Sequence, residues 1–253
     1  MNLDLAGKVA LVSGSCRGIG KAVAVTLGRE GCRVLFNGRD EKALEAAVSG
    51  QDFDCATFCG DISDPATARG AVAAAVARWG SLDVLVANVG SGSSPVPLGA
   101  ESESEWLRVL RVNLLSATNL VEAALPEMEK NGGSILCVSS ICGLYAMGAP
   151  IAYSAAKAAL NSYVQGMARP LAKKGIRLNA ILPGNILFPG GSHERRLREN
   201  PDAVKSFVER EVPMTRFGTP EEIADFAAFL SSPRAGFSTG ALFVVDGGQA
   251  RCH

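Results

Sequence analysis

The amino-acid sequence predicts an α/β fold: a single doubly wound parallel sheet of about seven strands with helices on both faces. Short runs rich in β-branched residues alternate along the chain with longer alanine-rich stretches of helical periodicity. Each short run is almost continuously apolar, which is typical of a parallel strand covered on both sides. A length of 253 residues with 47% apolar residues suits one large domain with a sizeable core.

The predicted strands are the apolar runs at residues 9–13, 33–37, 56–59, 84–87, 134–139, 177–182 and 242–245. Capping patterns between them mark helix starts. Asp64 precedes a proline at the first helical position, Ser102 is followed three residues later by Glu105, and Thr219 combines both devices. A charged stretch at residues 194–211 is predicted to form one further helical piece.

We expect one domain over residues 1–253, because no repeat, low-complexity tract or flexible linker divides the chain. Two stretches are typical of loops at the carboxyl ends of strands, residues 90–99 and about residues 185–213. Ligands of open parallel sheets bind at those ends. Both loops are therefore candidate walls of a substrate cleft, and the second is a candidate lid.

The composition argues against several classes of function. The 25 Lys and Arg residues balance 25 Asp and Glu residues, so no binding to nucleic acid is expected. His193 and His253 are the two histidines, too few for a three-histidine metal site, and no metal is expected. The seven cysteines form no C-x-x-C pair and are interpreted as reduced thiols. No apolar run reaches 18 residues and no signal-peptide pattern is visible, so we expect a cytoplasmic protein without a membrane segment.

The first predicted strand runs into the glycine-rich turn Ser13-Gly14-Ser15-Cys16-Arg17-Gly18-Ile19-Gly20. A helical pattern follows directly, which places free backbone N–H groups and the positive end of a helix dipole against a phosphate. A glycine-rich turn without a ligand is the alternative. A P-loop is excluded because five residues rather than four separate Gly14 from Gly20, and Ala22 replaces the magnesium-binding Ser or Thr.

The end of the second predicted strand bears on the choice between NADP(H) and NAD(H). Gly38 stands where a carboxylate would accept the ribose 2′-OH of NAD, and Arg39 follows it. Arginine suits the 2′-phosphate of NADP, and Arg17 in the glycine turn adds a second cation. We therefore favour NADP(H) over NAD(H) as cofactor, with two solvated surface arginines as the alternative.

A tyrosine and a lysine share one helix face further along the chain. Tyr153 and Lys157 are four residues apart, so the ammonium group can reach the neighbourhood of the phenol. A nearby cation is expected to bring the phenol pKa down toward neutrality and to make Tyr153 an acid-base catalyst. Ser140, at a strand end, could hold the substrate oxygen. An interfacial tyrosine beside a solvated lysine is the alternative.

These motifs together resemble the short-chain dehydrogenase/reductase family over essentially the whole chain. Further matching positions are Gly60-Asp61, Asn88, Gly90, Val112-Asn113, Asn179, Pro183-Gly184, residues 216–224 and Val245-Asp246-Gly247-Gly248. The resemblance implies a Rossmann-type domain and reversible hydride transfer between NADP(H) and a ketone or secondary alcohol.

The resemblance also implies roles for individual residues. Tyr153 would be the general acid/base and Ser140 would position the carbonyl. Lys157 would also bind the nicotinamide ribose, and Asn113 would hold a water molecule in a proton relay. The positions that the resemblance assigns to the cofactor are Gly14, Ser15, Arg17, Gly18, Ile19, Gly20, Arg39, Asp61, Ile62, Asn88, Gly90, Tyr153, Lys157, Pro183, Gly184 and Ile186. Asp61 is expected at the adenine.

Within the family, the chain looks most like 3-oxoacyl-(acyl-carrier-protein) reductases and similar small ketoreductases. This implies a homotetramer or homodimer formed through the long helices after the fourth and fifth strands. Acidic Glu127 and Glu129 weaken the case for an acyl-carrier protein as partner. Two other departures are Ala87 in place of the first Asn of an Asn-Asn-Ala-Gly motif, and Phe188 in place of a Thr after Pro-Gly, which makes the cleft more apolar.

Two interpretations of the whole chain remain open at this point. The first is an enzyme as described, and the second is a non-catalytic NADP(H)-binding scaffold or sensor with the same fold. Retention of Tyr153 and Lys157 favours the first. In the predicted lid, His193 is interpreted as a polar loop histidine, whereas Arg195, Arg196 and Arg198 either meet an anionic substrate or solvate a helix face.

Overall fold

The structure is a computed structural model that describes residues 2–92, 97, 99–145 and 147–250. His253, Cys252 and part of the predicted loop at residues 90–99 lie outside the described residues. The strands are β1 (Val9–Val12), β2 (Arg33–Gly38), β3 (Cys55–Cys59), β4 (Val84–Ala87), β5 (Gly133–Val138), β6 (Ile176–Pro183) and β7 (Leu242–Val245). The α-helices are α1 (Gly18–Arg29), α2 (Glu41–Val48), α3 (Pro65–Trp79), α4 (Glu103–Leu110), α5 (Ser116–Met128), α6 (Ile151–Ala172), α7 (Ser192–Glu199), α8 (Pro201–Glu211) and α9 (Pro220–Ser231).

All strands pair in parallel in one sheet of order β3-β2-β1-β4-β5-β6-β7, which confirms the predicted fold class. Each predicted strand lies within one residue of the observed boundaries. The chain direction across the sheet reverses between β1 and β4. The turns after these two strands therefore diverge and open a crevice at the carboxyl edge of the sheet.

Side chains of each strand alternate between two apolar clusters on opposite faces of the sheet. In β1, Val9 and Leu11 belong to the cluster covered by α3, α5 and α6, whereas Ala10 and Val12 belong to the cluster covered by α1, α2 and α9. Burial on both faces explains why the central strands are apolar throughout. The edge strands β3 and β7 are only partly buried, so the prediction of two covered faces is wrong for these two.

Caps hold several helix starts where the sequence predicts them. Asp64 accepts from the Thr67 N–H at 2.8 Å ahead of α3. Thr219 and Glu222 form a reciprocal capping box ahead of α9. Ser102 accepts from the Glu105 N–H at 3.3 Å ahead of α4.

The charged stretch at residues 194–211 is not one helix, which corrects the prediction. It divides into α7 and α8 at Asn200, whose side chain caps α8 by accepting from the Ala203 N–H at 3.1 Å. The physical reason is Pro201, because a proline disfavours helical backbone in the residue before it and suits the first position of a new helix.

Helices α4 and α5 are joined without a break by a π-helical turn, Arg111–Leu115. Such a turn is frequently found at functional sites. In the described part of the chain, no helix combines the length and the apolar character needed to cross a membrane.

Candidate active site

The turn after β1 takes backbone conformations that need glycine. Gly14 and Gly18 have φ of +62° and +55°, in the left-handed region. A Cβ on Gly20 would collide with the Asn88 amide and the Gly14 carbonyl. Asn88, just after β4, donates from Nδ2 to the carbonyl oxygens of Ser13 at 2.9 Å and Gly14 at 3.2 Å. Asn88 therefore ties the glycine turn to the neighbouring strand.

The amino end of α1 is free to meet an anion. Its N-cap residue, Arg17, makes no side-chain cap, and the first turn of α1 holds no acidic residue. Ser15 braces the turn by accepting from the Asn37 N–H at 2.9 Å, and Ile19 packs into the apolar cluster below. Uncapped N–H groups at a helix start, with the positive end of the dipole, fit the pyrophosphate of a dinucleotide.

The end of β2 has no room for a carboxylate. A Cβ on Gly38 would collide with the Cys16 sulfur, so an acidic side chain there would displace Cys16. Arg39 comes next and places Nη1 3.9 Å from Asp61 Oδ2. Both side chains are exposed, and Ile62 beside Asp61 is buried in the core.

Asp61 is held in its ionised form. Partial burial alone would raise the pKa of Asp61, but hydrogen bonds from Ser63 and the charges of Arg39 and Arg111 outweigh burial and lower it. The Arg17 guanidinium lies elsewhere: Nη1 donates to the carbonyl of Gly190, in the segment after β6, at 3.2 Å. In the structure, therefore, Arg39 is at Asp61 whereas Arg17 contacts the predicted lid.

Ser140 and Tyr153 meet at the carboxyl end of β5. Their hydroxyl groups share a hydrogen bond, and Ser140 is only 7% exposed. Tyr153 packs with Trp106 against the small apolar cluster formed by Val109, Ala152 and Ala156. The result is two hydroxyl groups fixed side by side at the edge of the sheet where ligands bind.

Burial dominates the acid-base properties of this pair. It raises the pKa of Tyr153 to about 12, against the lowering effect of the bond with Ser140. Burial also lowers the pKa of Lys157 to about 8. The expectation that Lys157 brings the phenol pKa down is therefore wrong for this geometry, because desolvation by burial is the largest influence on Tyr153 and raises its pKa. Lys157 Nζ donates to the Val138 carbonyl at 2.9 Å and lies 5.9 Å from the centre of the Tyr153 ring.

Asn113 lies in the π-helical turn and is fully buried. Its Nδ2 donates to the carbonyls of Ser91 at 2.8 Å and Val109 at 3.0 Å, and its Oδ1 accepts from the Ser91 N–H at 3.1 Å. A Cβ on Gly90 would lie 2.9 Å from Asn113 Oδ1 and 3.1 Å from Lys157 Nζ. The absence of a side chain at Gly90 thus lets β4, the π-helical turn and α6 converge.

The segment after β6 forms another wall of the crevice. Pro183 ends β6, and the Gly184 N–H donates to the Val245 carbonyl at 3.0 Å. A Cβ on Gly184 would collide with Asp246, so glycine is required by close approach. Ile186 is buried and bridges to Gly218.

Phe188 packs directly on the glycine turn. A Cβ on Gly18 would lie 2.8 Å from the Phe188 ring, and one on Gly191 would lie 3.1 Å from it. Phe188 therefore supplies an apolar contact between the turn after β1 and the segment after β6. This agrees with the expectation that the departure from threonine makes the crevice more apolar.

His193 and the three arginines lie in α7, so His193 is a helix residue and not the loop residue that the sequence predicts. His193 lies with its ring 5.1 Å from that of Phe217, and burial with the nearby Arg196 lowers the pKa of His193. Arg195, Arg196 and Arg198 are exposed, and Arg198 pairs with Glu194 at 3.0 Å. This pattern favours a solvated helix face.

Sequence reasoning missed two residues beside the site. The backbone of Ser91 donates to Oδ1 of Asn113 and accepts from its Nδ2. The position of Ser91 just after Gly90, in a loop at a strand end, is a signal by which this residue could have been found. Glu101 accepts from the Ile151 N–H of α6 at 3.0 Å across 50 residues of sequence. Local sequence patterns do not predict a contact between segments so far apart in the chain.

Comparison with known proteins identifies the family of the chain. Residues 14–250 match a family model described as enoyl-(acyl carrier protein) reductase. The chain is 34% identical over 252 residues to an L-rhamnose 1-dehydrogenase (NAD(P)(+)) of Sphingomonas sp. (strain SKA58), with 97% of each chain covered. It is 31% identical over 248 residues to a 3-oxoacyl-(acyl-carrier-protein) reductase of Escherichia coli (strain K12), with 98% of this chain and 99% of the other covered. The chain belongs to the short-chain dehydrogenase/reductase family.

A solved structure of the same family supports this. An L-sorbose reductase from Gluconobacter frateurii, complexed with NADPH and L-sorbose, superposes with a TM-score of 0.93 at 29% identity, with both chains covered completely. As a short-chain dehydrogenase/reductase, the protein is an oxidoreductase that acts on alcohols or the corresponding carbonyl compounds with a nicotinamide cofactor. The resemblance inferred from the sequence motifs is thereby confirmed.

Proposed function

We propose that the enzyme reduces ketones with NADPH, or oxidises the corresponding secondary alcohols with NADP, and that Tyr153 is its general acid/base. The observation that carries this proposal is the hydrogen-bonded pair of Ser140 and Tyr153 beside the buried Lys157. The pair lies on rigid elements, the end of β5 and the first turn of α6. Rigid placement is what positions a catalytic group within reach of a reacting oxygen.

In the reductive direction, Tyr153 gives its proton to the carbonyl oxygen while Ser140 donates a hydrogen bond to the same oxygen. A nicotinamide dinucleotide, with its pyrophosphate held by the glycine turn and its nicotinamide ribose by Lys157, would supply the hydride that the carbonyl carbon receives. A pKa of about 12 keeps Tyr153 protonated at neutral pH, which is the form that reduction requires. Oxidation reverses the proton transfer, so Tyr153 then accepts the alcohol proton.

Lys157 and Asn113 support the proton transfer. Lys157 would bind the nicotinamide ribose from its buried position under Tyr153. Asn113 would hold a water molecule that returns a proton to the tyrosine. The convergence of both side chains on Gly90 supports this arrangement, because it leaves them next to each other at the carboxyl edge of the sheet.

NADP(H) is preferred over NAD(H) at the adenosine end. Gly38 offers no carboxylate to the ribose, and Cys16 fills the space that an acidic side chain at this position would need. The exposed Arg39 is available to a 2′-phosphate. A structural relative was solved with NADPH, and a sequence relative is named for both NAD and NADP. Gly14, Ser15, Gly18, Ile19 and Gly20 would meet the pyrophosphate, and Asp61 the adenine.

We further propose that the chain forms one catalytic domain with a lid at about residues 185–213, and assembles as a homotetramer or homodimer. Exposed Leu107 on α4 and Leu115 at the end of the π-helical turn support an interface on the long helices. Two contacts between the glycine turn and this segment, Arg17 with Gly190 and Gly18 with Phe188, support a lid that rests on the cofactor site.

The test is turnover of a panel of ketones, including 3-oxoacyl thioesters and keto sugars, followed by loss of NADPH absorbance. Wild type should reduce at least one class, and Ser140→Ala should lower kcat by about 100-fold through loss of the bond to the carbonyl oxygen. Tight NADPH binding without turnover of any ketone would contradict the proposal and favour a non-catalytic NADP(H)-binding scaffold.

A further inference from the structure

A carboxylate lies at the amino end of the helix that carries Tyr153. Glu101 precedes α4, and its Oε1 accepts from the Ile151 N–H at 3.0 Å. The N-cap position of α6 is Pro150, which makes no side-chain cap, and the first turn of α6 contains no acidic residue. Glu101 is therefore held in place by the helix start and its dipole.

The second carboxylate oxygen has no partner among the described residues. Glu101 Oε2 is buried and accepts no hydrogen bond from any part of the chain that the structure describes. Buried acceptors of this kind are rare because desolvation is costly when no donor replaces water. An anchored carboxylate with one orphaned oxygen is well placed to accept a hydrogen bond from a ligand hydroxyl.

Glu101 and the Tyr153 phenol share the same end of α6. Tyr153 is the third residue of the helix, and helical side chains lean toward the amino terminus. The tyrosine ring packs with Trp106 of α4, the helix that begins directly after the Glu101–Ser102 step. The phenol and the carboxylate therefore lie at one junction of α4 and α6.

A complementary donor follows the next strand of the sheet. Asn185 lies two residues beyond β6, and its Nδ2 is buried without a hydrogen-bond partner among the described residues. Its backbone is fixed on both sides: its N–H donates to Gln249 Oε1 at 3.2 Å, and its carbonyl accepts from the Gly218 N–H at 3.0 Å.

The chain order places these groups after neighbouring strands of the sheet. Glu101, Ser140 and Asn185 follow β4, β5 and β6, which are neighbours in the sheet. The carboxyl ends of neighbouring parallel strands meet at one edge, where ligands bind. An acceptor and a donor that lack partners among the described residues therefore follow the two strands on either side of β5, the strand that leads to Ser140.

We propose that Glu101 Oε2 accepts a hydrogen bond from a substrate hydroxyl, that Asn185 Nδ2 donates one, and that the substrate is a polyhydroxylated ketone or the matching polyol. This inference rests on the proposed function and names the substrate class of the same site. An apolar ketone would leave both groups unpaired, so the site discriminates against it.

Kinetics on two substrate classes test the proposal. A set of ketohexoses and the unhydroxylated ketone cyclohexanone are assayed with NADPH for wild type, Glu101→Ala, Glu101→Gln and Asn185→Ala. Glu103→Gln, an exposed acidic residue two positions away, is the matched control. Glu101→Gln is informative because its amide oxygen can still cap Ile151 while the charged acceptor is lost.

We expect kcat/KM for the best ketohexose to fall by about 10- to 100-fold in Glu101→Ala, Glu101→Gln and Asn185→Ala. Cyclohexanone turnover should stay within about threefold of wild type in Glu101→Gln, and Glu103→Gln should change neither substrate. Equal losses for both ketones in Glu101→Gln would overturn the proposal, since Glu101 would then act only through α6. Unchanged ketohexose kinetics would also overturn it.

Calorimetry separates this proposal from the proposed function. The corresponding hexitol is titrated into Tyr153→Phe with NADP, with and without Glu101→Ala. Hexitol binding that is weakened by Glu101→Ala supports the assignment even if no ketone is turned over. Absent or Glu101-insensitive binding contradicts it.

Discussion

The Lys157 ammonium lies 5.9 Å from the centre of the Tyr153 ring and donates to the Val138 carbonyl at 2.9 Å. Both side chains share one face of α6, and Lys157 is only 2% exposed. Placing an ammonium group in such a position is costly unless its charge is compensated. Helix α6 therefore carries a cation whose burial opposes folding.

The first prediction concerns the pH dependence of stability. Burial lowers the pKa of Lys157 from 10.5 to about 8, so between these values the unfolded chain binds more protons than the folded one. Folding stability therefore rises with pH across this window and is lost as pH falls through 8. Relative to Lys157→Met, wild type should gain about 2 kcal/mol between pH 7.5 and 10 in urea unfolding.

The control is Lys173→Met, an exposed lysine at the end of the same helix. It should track wild type at every pH, because its charge is solvated in both states. The comparison with Lys157→Met cancels the titration of all other groups. A difference between wild type and Lys157→Met that does not change with pH would contradict the burial account.

The second prediction concerns cofactor choice. Arg39→Ala should weaken NADPH binding by about 10- to 100-fold and leave NADH binding unchanged, because a charge-assisted bond to the 2′-phosphate is lost. Fluorescence titration of both cofactors measures this. Arg33→Ala, at the opposite end of β2, is the matched control and should change neither affinity. Equal binding of NADH and NADPH by wild type would argue against the NADP(H) assignment.

The third prediction concerns the contact between Gly18 and Phe188. Gly18→Ala should destabilise the fold by about 2–4 kcal/mol, because φ is +55° and the new methyl group meets the Phe188 ring. Phe188→Ala removes the collision but not the backbone strain. The double variant should therefore be about 1 kcal/mol more stable than the sum of the single effects predicts, as measured by urea unfolding. Strict additivity would show that the two residues do not touch.

The strands could be predicted closely from the sequence because central parallel strands are apolar on both faces. The ends of the predicted strands in turn showed where to look for site residues, since Gly14, Asn88, Ser140 and Gly184 follow them closely. The division of residues 194–211 at Asn200 was also visible in principle, since Pro201 follows it. The burial pattern of the edge strands could not be predicted, because β3 and β7 carry the same apolar composition as strands covered on both sides.

The electrostatics of the site could not be read from spacing. The pKa of Tyr153 is raised mainly by burial, and that burial depends on how α4 and α6 pack around the ring. Contacts between distant segments could not be predicted from the sequence either. Arg17 reaches Gly190 and Glu101 reaches Ile151 only because the sheet order brings their loops to one edge.

The measurement that bears most directly on the proposed mechanism compares two tyrosines of α6. The Tyr163 hydroxyl is buried and has no hydrogen-bond partner among the described residues. Because Tyr163 lies ten residues beyond Tyr153 in α6, Tyr163→Phe removes a phenol oxygen away from the Ser140 pair. With a ketone that wild type reduces, Tyr153→Phe should lower kcat by about 100- to 10,000-fold with NADPH affinity retained, whereas Tyr163→Phe should stay near wild type. Tyr153→Phe turnover within threefold of Tyr163→Phe would contradict the assignment of Tyr153 as the general acid.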